Sequence, residues 1–355
     1  MKKRVMLVIM LILIIAMVGC KATMGTGEEK LEEPLDENLT ISDYYPFVEN
    51  TIYDYAGVGN EYAEQKTYFE FVDGNKAQIK VMNPGTHVVK VLEHKDGILR
   101  EVYYEGEFYH VENMLDINGE TNNILLKEPL EVGNSWTTPE GYTRSITSIK
   151  EDIKTPLKNF KALEVTTELE NGKTQKQYYV KDIGLVANVY EDNDIKVETL
   201  LQAIKKEEYL ELDIDVFYPL YSDIETVYLK DKLNFYTNQS IEKLLEDVMK
   251  NPPSGKFVPV LPETAVINSI KLDKNSWTLR VDFSEELISK SNFGSALETE
   301  VLKSIVNTLG KFYDVENVFI TVEDKPYESG HYLLREGESF KVNMENIEEV
   351  KGPLI

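Results

Sequence analysis

Apolar and polar positions alternate through residues 44–205 of the chain. The stretch "KTYFEFVDGNKAQIKVM" shows the pattern most clearly, because two alternating runs flank Asp73-Gly74-Asn75, and glycine supplies the positive φ that a tight hairpin requires. Similar turns divide the rest of the segment into short strands, and no long helical period intervenes. Residues 44–205 are therefore predicted to form a β-rich N-terminal domain, either one curved antiparallel sheet or two packed sheets, of roughly ten strands.

The period changes after residue 205. "LDIDVFYPL" and "ETVYLKDKL" alternate like strands, and "QSIEKLLEDVMKN" repeats its apolar residues at helical spacing until Pro252-Pro253. A hairpin, "ETAVINSIKLDKNSWTLRVDFS", a second amphipathic helix, "GSALETEVLKSIVNTLGKF", and a strand, "ENVFITVED", follow. The predicted order over residues 208–345 is β-β-α-β-β-α-β, an α+β C-terminal domain in which one antiparallel or mixed sheet carries both helices on one face. Residues 346–355 are predicted as a C-terminal tail.

The N-terminus carries the pattern of an export signal. Basic residues follow Met1, and an apolar run too short for the roughly twenty residues of a membrane span leads to Cys20, the only cysteine of the chain. "MVGC" resembles the bacterial lipobox, in which the cysteine receives a diacylglycerol. The resemblance predicts a lipoprotein signal peptide over residues 1–19, lipidation of Cys20 and an anchor on the extracytoplasmic face of the cell membrane. The alternatives are a plain cleaved signal or a short buried helix. Residues 20–43 are predicted as a flexible acidic tether.

The charge balance narrows the class of partner. The chain has 62 acidic and 38 basic residues, a net charge of −24. A field of this sign repels phosphate backbones and anionic head groups, so nucleic-acid binding and a polybasic membrane contact are both disfavoured. The membrane contact must then come from the lipid on Cys20, and no other cysteine remains for a disulfide or a thiolate site.

Two stretches of the C-terminal third carry a family resemblance. "VINSIKLDKNSWTLRVDFSEEL" and "GSALETEVLKSIVNTLGKFYDVENVFITVED" resemble the GerMN domain of spore germination and sporulation lipoproteins. The resemblance implies a compact α/β domain similar to the ring-building modules of secretion channels. Such modules act by packing side by side, and the family is not known as catalytic.

The sequence independently offers no recognisable catalytic or cofactor motif. The four histidines are scattered, no H-x-x-x-H or H-E-x-x-H spacing occurs, and the chain has no GxSxG, P-loop or GxGxxG. We therefore predict no enzyme, no metal and no cofactor.

Two acidic clusters leave alternatives open. The first could line a calcium site, although at a strand-to-helix turn such residues more often accept hydrogen bonds from free backbone N–H groups. The second could perform acid–base chemistry on a glycan, although alternating aspartates on a strand usually form its solvated face. The first cluster is Asp282, Ser284, Glu285 and Glu286, and the second is Asp213, Asp215 and Asp223.

Two hypotheses from different classes follow. The first is a structural or protein-interaction lipoprotein of sporulation, germination or cell-envelope assembly, which binds copies of itself or an envelope protein through Lys303, Asn307 and Thr308 of the second helix. The second is a binding module or carrier for a small apolar ligand in the β domain, where the aromatic stripe Tyr103, Phe108 and Tyr109 would need a continuous pocket of several hundred Å³. A peptidoglycan-acting enzyme ranks third.

Overall fold

The N-terminal strands follow one another in space nearly as they do along the chain. We describe a computed structural model of residues 40–351, without residues 118, 120 and 292. The helices are α1 (Ile41–Tyr44), α2 (Ile241–Lys250), α3 (Glu286–Ser289) and α4 (Ser295–Phe312), and a 3-10 helix covers Glu170–Gly172. The strands of the first region are β1 (Thr51–Val58), β2 (Gln65–Asp73), β3 (Lys76–Met82), β4 (His87–Lys95), β5 (Ile98–Gly106), β6 (Asn123–Lys127), β7 (Ser135–Thr137), β8 (Thr143–Lys154), β9 (Asn159–Glu168), β10 (Thr174–Val180), β11 (Gly184–Asp192) and β12 (Ile195–Lys206). Those of the second are β13 (Leu210–Pro219), β14 (Thr226–Phe235), β15 (Ile267–Asp273), β16 (Thr278–Phe283), β17 (Asn317–Val322), β18 (Lys325–Pro326), β19 (Phe340–Lys341) and β20 (Glu348–Glu349).

Strands β1–β12 form a single 12-stranded antiparallel sheet in the order β6-β5-β4-β3-β2-β1-β12-β11-β10-β9-β8-β7. Side chains connect its two ends: Trp136 Nε1 donates to Ile124 O at 2.9 Å, and Arg144 Nη1 donates to Asn123 Oδ1 at 3.0 Å. The sheet therefore curls until β6 lies beside β7 and β8, which covers edges that would otherwise offer unpaired backbone groups. The predicted curved antiparallel sheet is confirmed.

The residues just before β1 fill the inside of this sheet. Ile41 and Tyr44 of α1 belong to the same apolar core as the inward residues of the strands, and Phe47 packs against it. The carbonyl of Tyr45 is 2.9 Å from His94 Nε2, and the Phe47 ring lies 4.4 Å from the His94 ring. A cavity of about 180 Å³ remains, and polar residues such as Gln175 and Gln177 share its lining. The sheet thus has a filled interior rather than a large apolar pocket.

The second region contains the predicted elements in the predicted order, with the short helix α3 and the strands β18–β20 added, but it is built on two sheets. Strands β13, β14 and β20 form one sheet, and β15, β16, β17 and β18 form another, with β19 added to β17. The prediction of a single sheet is wrong because α4 lies between the two: Thr308 on α4 accepts a hydrogen bond from Phe217 N of β13, while Val306 and Leu309 share a core with Val318 of β17. The helix that was expected to cover one sheet face is enclosed by both.

The two regions share one apolar core. Tyr68, Phe71 and Val91 of the 12-stranded sheet belong to the same cluster as Phe235 and Tyr313 of the second region. The Phe71 and Phe235 rings are 5.7 Å apart. The described residues, 40–351 with their three gaps, lie in one compact unit. Within residues 40–351, gaps excepted, no helix combines the length and the apolar character that a membrane span needs.

Candidate functional site

The second predicted helix, α4, is buried over most of its length. Asn307 and Thr308 have no exposed surface, and the Lys303 side chain is 21% exposed. Asn307 Nδ2 donates to Asn343 O at 2.7 Å, and Asn343 N donates back to Asn307 Oδ1 at 2.9 Å. The hypothesis that Asn307 and Thr308 form an accessible interaction surface is therefore corrected: their polar groups hold neighbouring backbone segments, and of the three only Lys303 is partly accessible.

The hairpin between β15 and β16 presents an exposed aromatic residue instead. Asp273 forms the turn because its carboxylate accepts hydrogen bonds from Asn275 N at 3.0 Å and Ser276 Oγ at 2.9 Å. These hydrogen bonds hold the pKa of Asp273 below its usual value. Trp277 follows with φ of 49° and half of its surface exposed. Positive φ is a genuine outlier for so bulky a residue, and the Trp277 Nε1 hydrogen bond to Asp314 O, 3.1 Å, holds the ring in place.

An open groove of about 640 Å³ lies beside this tryptophan. Its lining includes Lys311 and Asp314 at the end of α4 and the segment that carries Lys341 and Met344. Met344 is 40% exposed. Tryptophan and methionine are enriched at protein interfaces, and tryptophan dominates the binding energy of many of them. We call Trp277, Lys311, Asp314, Lys341 and Met344 the Trp277 groove.

The helix α4 supports one wall of the Trp277 groove from behind. Asn307 holds the backbone of Asn343, and Val342 packs directly on Gly310. A Cβ built on Gly310 would lie 2.3 Å from Val342 Cγ2, so only glycine permits this approach. Asn307, which was predicted to contact a partner directly, is therefore a positioning residue. It holds the segment that carries residues 341–344, and this segment forms one wall of the Trp277 groove.

The first acidic cluster holds backbone segments together. Asp282 Oδ1 accepts hydrogen bonds from Thr321 Oγ1 at 2.6 Å and Asp324 N at 2.8 Å, and Oδ2 accepts one from Asn268 at 2.8 Å. Burial raises the pKa of Asp282, but these hydrogen bonds outweigh it and the net pKa is lowered. Ser284 Oγ likewise accepts from Val266 N at 3.1 Å. Across residues 40–351, apart from the three omitted, no group of three or more His, Cys, Asp or Glu side chains could hold a metal ion.

The second acidic cluster forms a solvated strand face. On β13, Asp213 is opposite Lys232 and Asp215 is opposite Lys230 of β14. Asp223 lies in the following turn and accepts a hydrogen bond from Ser222 at 2.9 Å. Lys230 pairs with Glu349 and Lys232 pairs with Glu211, so the two strand aspartates belong to a strand face of mixed charge.

The second region matches a known protein family. Residues 215–328 match the family model described as Germane, sporulation and spore germination. The C-terminal region is Germane-like. This confirms the predicted GerMN resemblance. No curated protein matches the chain.

Solved structures that resemble the chain come from several bacteria. The tandem GerMN domains of the sporulation protein GerM from Bacillus subtilis share 17% identity with a TM-score of 0.29, covering 37% of this chain and 46% of that one, so the chain spans less than half of that structure. A protein described as exported, with a YmcC-like fold, from Bacteroides fragilis shares 12% identity with a TM-score of 0.31, covering 46% of this chain and 99% of that one. A candidate lipoprotein from Clostridium perfringens shares 15% identity with a TM-score of 0.25, covering 38% and 88%.

Trp277, Lys311 and Asp314 lie inside the Germane-like match, whereas Lys341 and Met344 lie beyond it. The groove thus combines the Germane-like region with a segment that follows it. The stretch "DKNSWTLR" predicts the hairpin, but its alternation does not distinguish Trp277 from the other residues. An aromatic residue directly after an Asp-Lys-Asn-Ser turn was the available signal, because turn residues seldom point into a core.

A buried ion pair that the sequence patterns did not predict lies where the 12-stranded sheet meets the Germane-like region. Glu70 and Lys80 are almost fully buried, and Lys80 Nζ lies 2.7 Å from Glu70 Oε1. Lys80 also donates to His110 O at 2.5 Å, and Gln78 Nε2 donates to Glu70 Oε2 at 2.7 Å. The signal was Glu70 between Phe69 and Phe71, where a register shift in the β2–β3 ladder turns neighbouring residues inward.

The predicted carrier stripe does not line one cavity. Phe108 belongs to the shared core, Tyr103 is partly buried against it, and Tyr109 is 48% exposed. The predicted lipidation site Cys20, the signal peptide and most of the tether lie outside the described residues.

Proposed function

We propose that the protein is a lipid-anchored extracytoplasmic protein that acts through protein–protein contacts in sporulation, spore germination or cell-envelope assembly. Cys20 would fix the chain to the membrane, and the part of the predicted tether that precedes α1 would hold the folded unit away from it. The Germane-like match supports the connection with sporulation and germination. The partner would be a second copy of the chain or another envelope protein.

The observation that carries the contact role is the Trp277 groove. Its tryptophan is half exposed although it is large and apolar, and its backbone has a positive φ. Strained residues cluster where function requires them, so an exposed tryptophan at such a position supports a binding role. Confinement by a lipid anchor raises the effective concentration of neighbours, which lets a weak contact act at the membrane.

Site-specific crosslinking in native membranes tests this proposal. A photo-crosslinker at Lys311, in the groove, should give a discrete adduct with a second copy or a fixed partner. The same group at Lys161, exposed on the 12-stranded sheet, should give none. Equal adducts from both positions, or no adduct from Lys311 in sporulating cells, would contradict the groove as the contact surface.

A matched pair of variants separates binding from folding. Trp277→Asn removes the aromatic surface but suits positive φ, because asparagine tolerates that backbone region. We expect the Lys311 adduct to fall about 30-fold, as for the loss of a hot spot of about 2 kcal/mol, with the thermal unfolding temperature unchanged or raised. Tyr62→Asn, which removes an aromatic residue 53% exposed on the other region, should leave the adduct unchanged.

The anchor has its own test. Cys20→Ser should release the folded protein from the membrane fraction or leave the signal unprocessed. Equal membrane retention of the variant after signal cleavage would contradict lipidation. The filled interior of the 12-stranded sheet supports the contact role over the carrier alternative, because the remaining cavity is small and partly polar.

A further inference from the structure

A separate apolar pocket lies between the Germane-like region and the loop that directly follows it, away from the residues of the Trp277 groove. It has a volume of about 240 Å³ and is enclosed by α3, α4 and the loop that carries residues 327–331. Leu287, Val301, Leu302 and Ile305 form its buried apolar wall. Pockets for drug-sized ligands span about 300–1,000 Å³, so this one suits a smaller molecule.

One end of the pocket is a built polar site. Glu298 is only 7% exposed. Its Oε1 accepts a hydrogen bond from Tyr327 Oη at 2.8 Å, and its Oε2 lies 2.5 Å from His331 Nδ1. Burial raises the pKa of Glu298, but hydrogen bonds from Ser329, His331 and Tyr327 outweigh it, so the net pKa lies below its usual value. The carboxylate is therefore ionised at neutral pH.

No permanently charged cationic side chain among the described pocket residues balances the negative charge of this carboxylate. Among the described residues that line the pocket there is no lysine or arginine, and His331 is the one other titratable group beside Glu298 and Tyr327. The His331 side chain is 43% exposed, on a loop whose backbone is held by Ser329 Oγ. Tyr327 is buried and fixed, whereas the imidazole stands between the carboxylate and solvent. A cationic group that replaced His331 at Oε2 would gain a charge-assisted hydrogen bond.

We propose that this pocket binds a small primary ammonium compound with a short apolar chain. The ammonium group donates to Glu298 Oε2 in place of His331, and the chain lies against Leu302 and Ile305. Ile305 and Leu302 supply apolar contacts to any ligand with an alkyl chain. Glu298 makes the pocket prefer a cationic ligand to a neutral ligand of the same shape. The site is independent of the proposed protein contact.

The test is a titration of the full-length chain in detergent, observed by NMR of labelled Ile, Leu and Val methyl groups. The probe is n-pentylammonium, and n-pentanol is the matched neutral molecule. We expect saturable shifts at Ile305 and Leu302, with n-pentanol binding at least about tenfold more weakly. Equal binding of the two molecules, or no shift at Ile305 in the folded protein, would overturn the proposal.

Variants sharpen the same titration. Glu298→Gln keeps the shape of the side chain and should weaken n-pentylammonium at least about tenfold while leaving n-pentanol unchanged. Glu285→Gln removes an equal charge beside α3 but outside the pocket lining and should have no effect. His331→Ala removes the group that competes for Oε2 and should tighten n-pentylammonium. Weaker binding by His331→Ala would mean that the imidazole holds the ligand, which overturns the proposed exchange.

Discussion

The two regions of the molecule bury polar side chains in different ways. The 12-stranded sheet encloses opposite charges, Glu70 and Lys80, at its boundary with the Germane-like region. The middle of α4 in the Germane-like region encloses neutral groups instead, because its buried Asn307 and Thr308 bond to backbone rather than to other side chains. Both solutions satisfy buried polar groups, but only the first depends on a charge partner.

This difference predicts how each region responds to a lost partner. Removing one member of a buried ion pair leaves an uncompensated charge, which is strongly destabilising. Removing a neutral side chain leaves backbone groups unpaired, which costs less and can be relieved by local opening to water. The sheet should therefore fail globally and the helix locally.

The largest effect is expected from Lys80→Met, which leaves the buried Glu70 carboxylate without its cationic partner. We expect a loss of about 3–5 kcal/mol in the free energy of unfolding, largely recovered in Glu70→Gln/Lys80→Met. Urea unfolding measures it with the two tryptophans, because Trp136 reports the sheet and Trp277 the Germane-like region. Both signals should shift together. Lys161→Met, which breaks an exposed pair with Asp152, is the control and should change little. A Lys80→Met protein as stable as this control would refute the role of the pair.

The next effect is expected from Asn307→Ala. The change leaves the N–H and C=O of Asn343 without their partner, so we expect a cost of about 1–3 kcal/mol that is confined to the following segment. Hydrogen exchange should rise in residues 340–350 and remain unchanged in the sheet. Lys303→Ala should increase hydrogen exchange less than Asn307→Ala, because Lys303 Nζ donates to Glu345 O only at 3.5 Å. Uniform exchange increases throughout the chain would show that the helix does not act locally.

A smaller, pH-dependent effect is expected from Asp282→Asn. The folded pKa of Asp282 is below its unfolded value, so its stabilisation is present above the unfolded pKa and is lost as the pH falls through the folded pKa. The stability gap between the native protein and Asp282→Asn should therefore narrow as the pH falls from about 5 through the folded pKa. Urea midpoints at several pH values measure it. A constant gap would mean that the charge of Asp282 contributes nothing.

The smallest effect is expected from Lys274→Met. Lys274 reaches from the β15–β16 hairpin to Glu105 of the sheet, but the two side chains are 32% and 27% exposed. Such a partly solvated pair should contribute below about 1 kcal/mol and less at high salt. Urea unfolding at low and high ionic strength checks it. A loss comparable with that of Lys80→Met would place the main inter-region contact at the hairpin instead of the buried pair.

The sequence predicted elements better than their layers. Period-two alternation predicted the antiparallel sheet, and apolar residues every four positions predicted α4. Each of these apolar patterns identifies only one buried face of its strand or helix. Asn307 and Thr308 are polar, so the pattern assigned them to a solvated face, although the second sheet and residues 340–345 cover that face. Apolar periodicity does not predict that a second layer covers a helix when the helix residues that contact it are polar and bond to backbone.

The sites were predicted less well for a related reason. A structural role was predicted for Asp282, but as a local turn cap, whereas its carboxylate bonds to Thr321 of β17 and to Asp324 in the turn after that strand. Trp277 and Glu298 depend on partners in other elements of the chain, Asp314 and His331, and Glu70 depends on Lys80 of the neighbouring strand β3. A single sequence does not pair such residues, so neither the groove nor the pocket could be predicted.

The residues that complete the Germane-like region are nearly the last ones of the described chain. Strand β19 adds to β17, Asn343 bonds to Asn307, and β20 pairs in parallel with β14. A chain that emerges from the ribosome, or is threaded through an export channel, from its N-terminal end presents these segments late. Until those segments are available, one side of α4 stays exposed to water and Asn307 bonds to water, so folding of this region is completed only when residues 340–349 join it.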